Sequence, residues 1–386
     1  MSIETVFFEQ FGVNLFSDEQ IDLEAMTETV AAYGFIDYGT PNQFYASFLE
    51  RSTAGTGTYS LSTYKFTNPS LDDPTYRALC VLDSDRVLAS WSEVGAGSDE
   101  KLAIYNFTTG ATGTTNMWTD QSGWTDKIPT RTIFGLNPTT AVMLWLNGPL
   151  YGHVITVSGE TVSSVSDTGG GGQGGEEVYP EVLGAIANGY YQVRKLTSST
   201  FLIAHCNYLA PNDRLTLTHV TVSGSNFTVA SVNVSTDFYG EPFLSMWSSS
   251  SGVVGGRNYN NELQMWAVTV SGGTPAVGTM QVISYDYPVG IGAFSAASET
   301  ALLVVRPSGT FYALDFQEID STPSIIDSYQ YTPAGSLRYE SDLVSLHSTI
   351  AEFGDHDVLF QGRYYTGSRY EAASYTAVGS GTASPP

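Results

Sequence analysis

The sequence predicts an all-β fold: a single β-propeller of about seven four-stranded blades, with an N-terminal strand closing the last blade. Three observations carry this. A hairpin phrase recurs along the chain, its copies follow a period of roughly 40 to 50 residues with one wider step between 153 and 219, and no helix-period segment of useful length competes.

The phrase is a strand, a Ser-Gly turn and a second strand. It reads HVITVSGETVSSV at 153–165, HVTVSGSNFTVASV at 219–232 and WAVTVSGGTPAVGTMQV at 266–282. Ser-Gly between alternating runs marks a hairpin, because glycine tolerates the positive φ that such turns require. Weaker copies are IYNFTTGATG (104–113) and YALDFQEIDSTPSI (312–325). Two more short β-rich runs precede each hairpin. The clearest unit therefore has four strands, A to D, between Tyr190 and Val234. Comparable units span Tyr33–Phe66, Tyr76–Gly113, Thr130–Val165, Pro242–Val282, Val289–Ile326 and Ser341–Val378. The count is seven, with six and eight inside the usual boundary error. Residues 18–29 fit either a short helix or a connecting loop.

A ring must join its last blade to its first. The last unit ends after its third strand (370–378), and Thr5–Val13 is apolar and unassigned. This segment is expected to supply the missing outer strand and cover an exposed edge. The expected division is a closing strand and connector at 1–30, the propeller at 31–378 and a disordered tail at 379–386.

In an antiparallel meander the A–B and C–D turns share one face, and the B–C and D–A loops share the other. The first set is terse: 83–85, 137–139, 197–199 and the Ser-Gly turns. The second reads longer and richer in aromatic and amide groups: 207–213, 257–262, 364–370, the link 115–124 and the glycine-rich link 168–180. Function concentrates on loops held by a rigid scaffold. The B–C/D–A face is thus the expected contact surface, with Trp118, Trp124, Tyr208, Asn212, Tyr259, Asn260, Tyr364 and Tyr365 as candidate contacts.

The chain has 386 residues, 14% charged and 42% hydrophobic, with a net charge of -24. That much apolar content supports a packed interior. So acidic a surface repels phosphate, which argues against nucleic acids and anionic lipid as partners. The opening MSIETVFFEQFG lacks a basic start and carries Glu4 and Glu9 where an export signal is apolar. No run of about eighteen apolar residues is present to cross a membrane. Cys80 and Cys206, each inside an apolar run, read as small buried thiols.

No catalytic constellation emerges. His153 and His219 take equivalent places in the hairpin phrase, where the next copy has Trp266, so they read as structural. His205 and Cys206 are neighbours on one strand and point to opposite faces, which excludes a nucleophile–base pair. Asp355, His356 and Asp357 form the one compact cluster with ligand chemistry, in what reads as a long A–B loop. Two carboxylates and one imidazole make a weak cation site. Asp37, Asp83 and Asp342 fall near inner strands, but nothing in the sequence shows convergence of the kind glycoside hydrolysis needs. The glycines at 169–175 precede Glu176 and Glu177 rather than a lysine, which would repel an anion. Sialidase, WD40 and kelch turn motifs are absent, as are P-loop, Gly-x-Ser-x-Gly and His-Glu-x-x-His signatures. No cofactor is expected.

Few charges, many Ser, Thr, Gly and Tyr, and no export signal together fit a protein assembled in the cytoplasm and exposed later. The expectation is a non-enzymatic virion surface protein, of a phage tail, spike or capsid, touching other subunits or a host glycan or protein. The alternative is an extracellular propeller that binds or cleaves carbohydrate and is secreted by a non-Sec route.

Overall fold

The computed structural model describes residues 2–15, 22–37, 43–53, 60–66, 74–93, 100–118, 131–146, 150–166, 176–179, 186–207, 213–260, 262–284, 287–295, 300–306, 310–315, 324–330, 337–338, 350–353, 357–365 and 370–380. The secondary structure of these residues is all β. Strand β1 is Ser2–Leu15. Blade 1 follows as β2 (Asp22–Ala25), β3 (Val30–Asp37), β4 (Gln43–Glu50) and β5 (Ser60–Lys65). Blade 2 contains β6 (Pro74–Val81), β7 (Arg86–Glu93), β8 (Glu100–Asn106) and β9 (Thr112–Trp118). Blade 3 contains β10 (Arg131–Asn137), β11 (Thr140–Leu146), β12 (Leu150–Ser158) and an outer strand in two pieces, β13 (Thr161–Val165) and β14 (Glu176–Tyr179).

Blade 4 begins with β15 (Ile186–Lys195), β16 (Thr200–Asn207) and β17 (Asp213–Ser223). The next strand, β18 (Asn226–Met246), serves twice. It pairs with β17 up to Phe238 as the outer strand of blade 4. From Tyr239 it pairs with β19 (Ser251–Arg257) as the inner strand of blade 5. Blade 5 continues with β20 (Leu263–Ser271) and a second split outer strand, β21 (Thr274–Val277) and β22 (Gln281–Ser284). Blade 6 comprises β23 (Tyr287–Ser295), β24 (Thr300–Arg306), β25 (Thr310–Asp315) and β26 (Ser324–Gln330). Blade 7 has β27 (Leu337–Arg338) and β28 (Ile350–Phe353) on its inner side, then β29 (Asp357–Tyr365) and β30 (Tyr370–Ser380). Among the described residues, then, the strands form seven blades.

The ring is closed. Inner strands touch in sequence from β2 to β6, β10, β15, β18, β23 and β28, and β28 returns to β2. The predicted closure is present as well: β1 runs antiparallel to β30, with Thr5 opposite Val378 and Gln10 opposite Ala373. That pairing covers what would otherwise be an unpaired edge.

The blades pack through alternate residues of each strand, so both faces of a strand are buried and its sequence reads as continuously apolar. In β16, Phe201 and Ile203 join a cluster with Phe134, Val142, Leu144 and Val154 of blade 3. The intervening Leu202, Ala204 and Cys206 join Leu244, Val254, Trp266 and Val268 of blade 5. Cys80 lies in the seam between blades 2 and 3, and both cysteines are buried and not joined in a disulfide. The seam between blades 1 and 2 is aromatic, with Tyr64 stacked on Tyr105 at 3.9 Å and Phe48 beside Phe107 at 4.6 Å. Side chains also bond across seams. Glu24 Oε2 accepts the Val81 N–H (2.7 Å) and Gln192 Oε1 accepts the Leu244 N–H (2.8 Å), each joining consecutive inner strands.

Several expectations need correction. Asp22–Ala25 is a strand, neither helix nor connecting loop, so the first blade starts at Asp22 rather than near position 31. The glycine-rich stretch is no D–A link. β13 and β14 both pair with β12, and Ser166 still bonds to Val154 and His153 while Glu176 lies opposite Gly152. The chain thus leaves the outer strand after Ser166 and rejoins it at Glu176. Nor is the contrast in loop length general. The B–C connections of blades 3 and 6 are residues 147–149 and 307–309, whereas the C–D connections of blades 1 and 6 are residues 51–59 and 316–323. His219 and His153 are not equivalent either. His153 lies five residues before Ser158 but His219 only four before Ser223, and one residue flips the face. His153 shares the blade 2 side with Ile155 and Val157, while His219 points to blade 5.

Candidate contact face

Each face of the ring is built by its turns. On the A–B/C–D face, five successive A–B turns share one device: a short polar side chain accepts the backbone N–H groups that follow it. Thr27 Oγ1 accepts from Thr29 and Val30, Asp83 Oδ1 from Asp85 and Arg86, and Asn137 Oδ1 from Thr139. Thr197 Oγ1 accepts from Ser199, and Ser248 Oγ from Ser250 and Ser251. These Asx and Ser/Thr turns fix a tight reversal without glycine.

The same face is stitched between blades 2, 3 and 4. The Arg86 guanidinium pairs with Asp83 Oδ2 at 2.6 Å and donates to the carbonyls of Pro138 and Gly159 in blade 3. Burial pushes the Asp83 carboxyl up, but the Arg86 hydrogen bond and charge, with the N–H groups of Asp85 and Arg86, outweigh it and hold the group below its ordinary 3.8. Asn106 Nδ2 donates to Glu160 Oε1 (3.1 Å), and Asn137 Nδ2 donates to the Ser198 carbonyl (3.0 Å). Backbones also touch. A Cβ on Gly135 would collide with the Val81 carbonyl oxygen, and one on Gly113 with that of Glu160.

The opposite face presents a different construction in blade 5. Asn258 is 1% exposed and organises residues 258–262. Its Oδ1 accepts the N–H groups of Asn260 and Glu262 (2.9 Å each), its Nδ2 donates to Glu262 Oε2 (2.8 Å), and its own N–H donates to the Glu262 carbonyl (3.0 Å). Held this way, Tyr259 is 45% exposed and Asn260 lies beside it at the surface. Sequence reasoning missed Met280 and Val282, which are 41% and 43% exposed. β22 places Val282 opposite Gln264, next to the end of this loop. The signal was available in the short apolar alternation MQVIS after the Pro275 strand.

The other predicted contacts are scattered. Trp118 ends β9 opposite Glu100, inside a strand rather than a link, at the B–C/D–A end of blade 2. Tyr364 and Tyr365 close β29, opposite Glu371 and Tyr370, again in a strand but at the same end of blade 7. Among the described candidates, Tyr259 and Asn260 form one adjacent pair in blade 5, Tyr364 and Tyr365 a second in blade 7, and Trp118 lies in blade 2. Trp124, Tyr208 and Asn212 lie outside the described residues.

The acidic cluster changes place. Phe353 pairs with Asp357 across residues 354–356, so the A–B connection is short and Asp357 already belongs to β29. It sits on the stitched face, away from the aromatic loops; Asp355 and His356 lie outside the described residues. Among the described residues no group of three or more His, Cys, Asp or Glu side chains could hold a metal ion. Asp83 serves Arg86, Asp37 ends β3, and Asp342 is outside the described residues. His205 and Cys206 do face opposite seams. His205 Nε2 meets Thr218 Oγ1 at 2.9 Å, and Thr218 meets Ser231 Oγ at 2.8 Å across the blade.

The sequence matches no protein-family pattern and no curated protein. Its fold does have counterparts among solved structures. The chain is similar to the WD40 domain of coronin from Toxoplasma gondii, with TM-score 0.50 and 10% identity over 100% of this chain and 89% of that one. It is also similar to the β-propeller domain of the Trilobed protease from Pyrococcus furiosus, with TM-score 0.46 and 7% identity over 96% and 98%. An acylaminoacyl peptidase from Pyrococcus horikoshii matches with TM-score 0.47 and 7% identity over 91% of this chain and 52% of that one. The chain spans about half the length of that peptidase and of a matched prolyl endopeptidase. At such identities the likeness establishes the fold alone: the chain is a β-propeller.

Proposed function

We propose that this propeller is a non-enzymatic binding module that meets its partner through the B–C/D–A face. The observation that carries the reading is the blade 5 loop: a buried Asn258 holds Tyr259 and Asn260 outward in one conformation. A ring preorganised beside an amide costs little entropy to dock and offers both stacking and hydrogen bonding. The partner is another particle subunit or a host-surface protein or glycan, and the propeller belongs to the surface of a virion. Sparse charge, abundant Ser, Thr, Gly and Tyr, and the acidic balance support that placement. Among the described residues no helix is long and apolar enough to cross a membrane.

The sugar-binding version has its own support, because a tyrosine face next to an asparagine amide matches the alternating apolar and hydroxyl surfaces of a saccharide. A glycan array with the wild type and Tyr259→Ala decides it. Binding that the substitution abolishes supports this version, and no signal on any sugar sinks it. Antibody labelling of purified particles tests the placement; unlabelled particles overturn it.

A further inference from the structure

His219 lies on β17 between Leu202 of β16 and Ala230 of β18, and it is 5% exposed. Its imidazole faces blade 5: Cε1 and Nδ1 are 3.5 and 3.6 Å from where a Cβ on Gly273 would sit, in the turn between β20 and β21. One imidazole thus lies in the seam between two blades, against the Gly272–Gly273 turn. Beside it the seam holds an apolar cluster of Leu202, Leu217, Leu244, Trp266 and Val268, and on the inner strand Gln192 bonds to the Leu244 N–H.

The charged groups are few. β16 and the part of β18 paired with β17 present only uncharged residues to this seam at Thr200, Leu202, Ala204, Cys206, Thr228, Ala230 and Val232. From blade 5 come Met246, Val270, Val277 and the Gly272–Gly273 turn. On the innermost strand, Arg194 pairs with Leu202, which in turn pairs with His219, so a second cation shares that side of the blade. Glu262 belongs to the loop before β20, at the far end of the blade, bound to Asn258. Asp237 and Arg214 likewise lie toward that end.

We propose that His219 is an acid-sensitive latch: neutral, it lets blades 4 and 5 pack, and protonated, it loosens that seam. Burial alone pushes this imidazole below its ordinary value of 6.5. The sign follows from linkage. A base whose folded value is lowered takes up its proton more readily when the seam is open. The packed state is therefore favoured in full above about pH 6.5 and loses that advantage as pH falls toward the folded value. His153 and His205 offer an internal contrast, since His153 Nδ1 meets the Ser166 carbonyl at 2.8 Å and His205 meets Thr218.

The test is hydrogen exchange resolved by peptide, corrected for intrinsic chemistry, at steps from pH 7.5 to 5. In the wild type, protection over 213–234 and 263–277 should fall by up to about tenfold per pH unit below 6.5, the limit for one proton. Peptides of blades 1 and 2 should hold steady, and His219→Gln should flatten the response. Equal acid loss around the whole ring, or an unchanged response in His219→Gln, overturns the proposal. Should that variant not fold, proton resonances of His219 in the native chain decide. Titration near 6.5 with seam protection intact overturns the latch; uptake at lower pH coincident with loss of protection supports it.

Discussion

The two faces of this ring are built from the same residue types to opposite ends. On the A–B/C–D face, asparagine, aspartate, serine and threonine side chains turn inward onto backbone, and Arg86 reaches from blade 2 to two carbonyls of blade 3. On the B–C/D–A face of blade 5, Asn258 performs a similar backbone-capping task, yet what it leaves outside is a tyrosine ring. One face spends its polar groups on holding blades together. The other uses them to display a side chain. A polar loop composition alone therefore does not mark a binding surface; what matters is whether the caps point across a seam or support an exposed group.

The contrast depends on a closed ring, so the largest effect should come from breaking the closure. Removing residues 1–16 strips β1 from β30 and leaves a long unpaired edge in blade 7. The melting temperature is expected to fall by at least several degrees, with a tendency to aggregate; an unchanged melting curve would count against the closure. Next is Gly135→Ala, where a methyl group meets the Val81 carbonyl oxygen of the adjacent inner strand. Neither backbone can move without disturbing its blade, and a loss of about 3 kcal/mol is expected by denaturant unfolding. A Gly110→Ala control meets nothing within 4 Å but adopts φ 70°, so its cost is local strain alone, about 1 kcal/mol.

Much of this architecture was legible in the chain. Continuous apolar runs such as TFLIAHC gave the buried strands, Ser-Gly gave the hairpins, and the unassigned TVFFEQFGV gave the closure. The failures have physical causes. Asp22–Ala25 is a strand of DLEA, without β-branched residues, and it forms because the ring supplies neighbours that local propensity does not register. A strand interrupted between Ser166 and Glu176 resembles a link until its two halves are seen to share β12. His219 went astray through a one-residue slip, which in a strand inverts the face. The five A–B caps were visible as TETV, DSDR, NPTT, TSST and SSSS, a repeat in residue chemistry rather than identity. At the candidate site, Tyr259 and Asn260 were legible from loop composition. The burial of Asn258 was not, because its role depends on which way one amide turns.

On the stitched face, Arg86→Ala removes two hydrogen bonds to blade 3 and leaves Asp83 without its cation. A loss of about 1–2 kcal/mol is expected. Its pH dependence sharpens the assignment. The carboxyl of Asp83 is held below 3.8, so the pair stabilises the fold above that value and the contribution disappears as pH drops beneath it. The gap in stability between wild type and Arg86→Ala should therefore narrow below about pH 3.8. A constant gap across that range would mean that Arg86 acts through its hydrogen bonds to blade 3, not through the ion pair.

The smallest effect on stability should come from Tyr259 on the display face, and it is the most informative. Tyr259→Ala removes a ring that is 45% exposed and should leave stability within about 0.5 kcal/mol of wild type. Asn258→Ala strips the loop of its caps and should cost about 1–2 kcal/mol while leaving Tyr259 in place. If the loop binds as a preorganised unit, both substitutions weaken the partner. Tyr259→Ala does so by removing the contact, and Asn258→Ala by freeing a ring that must then be ordered on binding. The two are separable by calorimetry, since only the loosened loop adds an unfavourable entropy to a contact that is otherwise intact. Full affinity in Asn258→Ala would show that the tyrosine is recognised without its scaffold, and the difference between the two faces would then reduce to exposure alone.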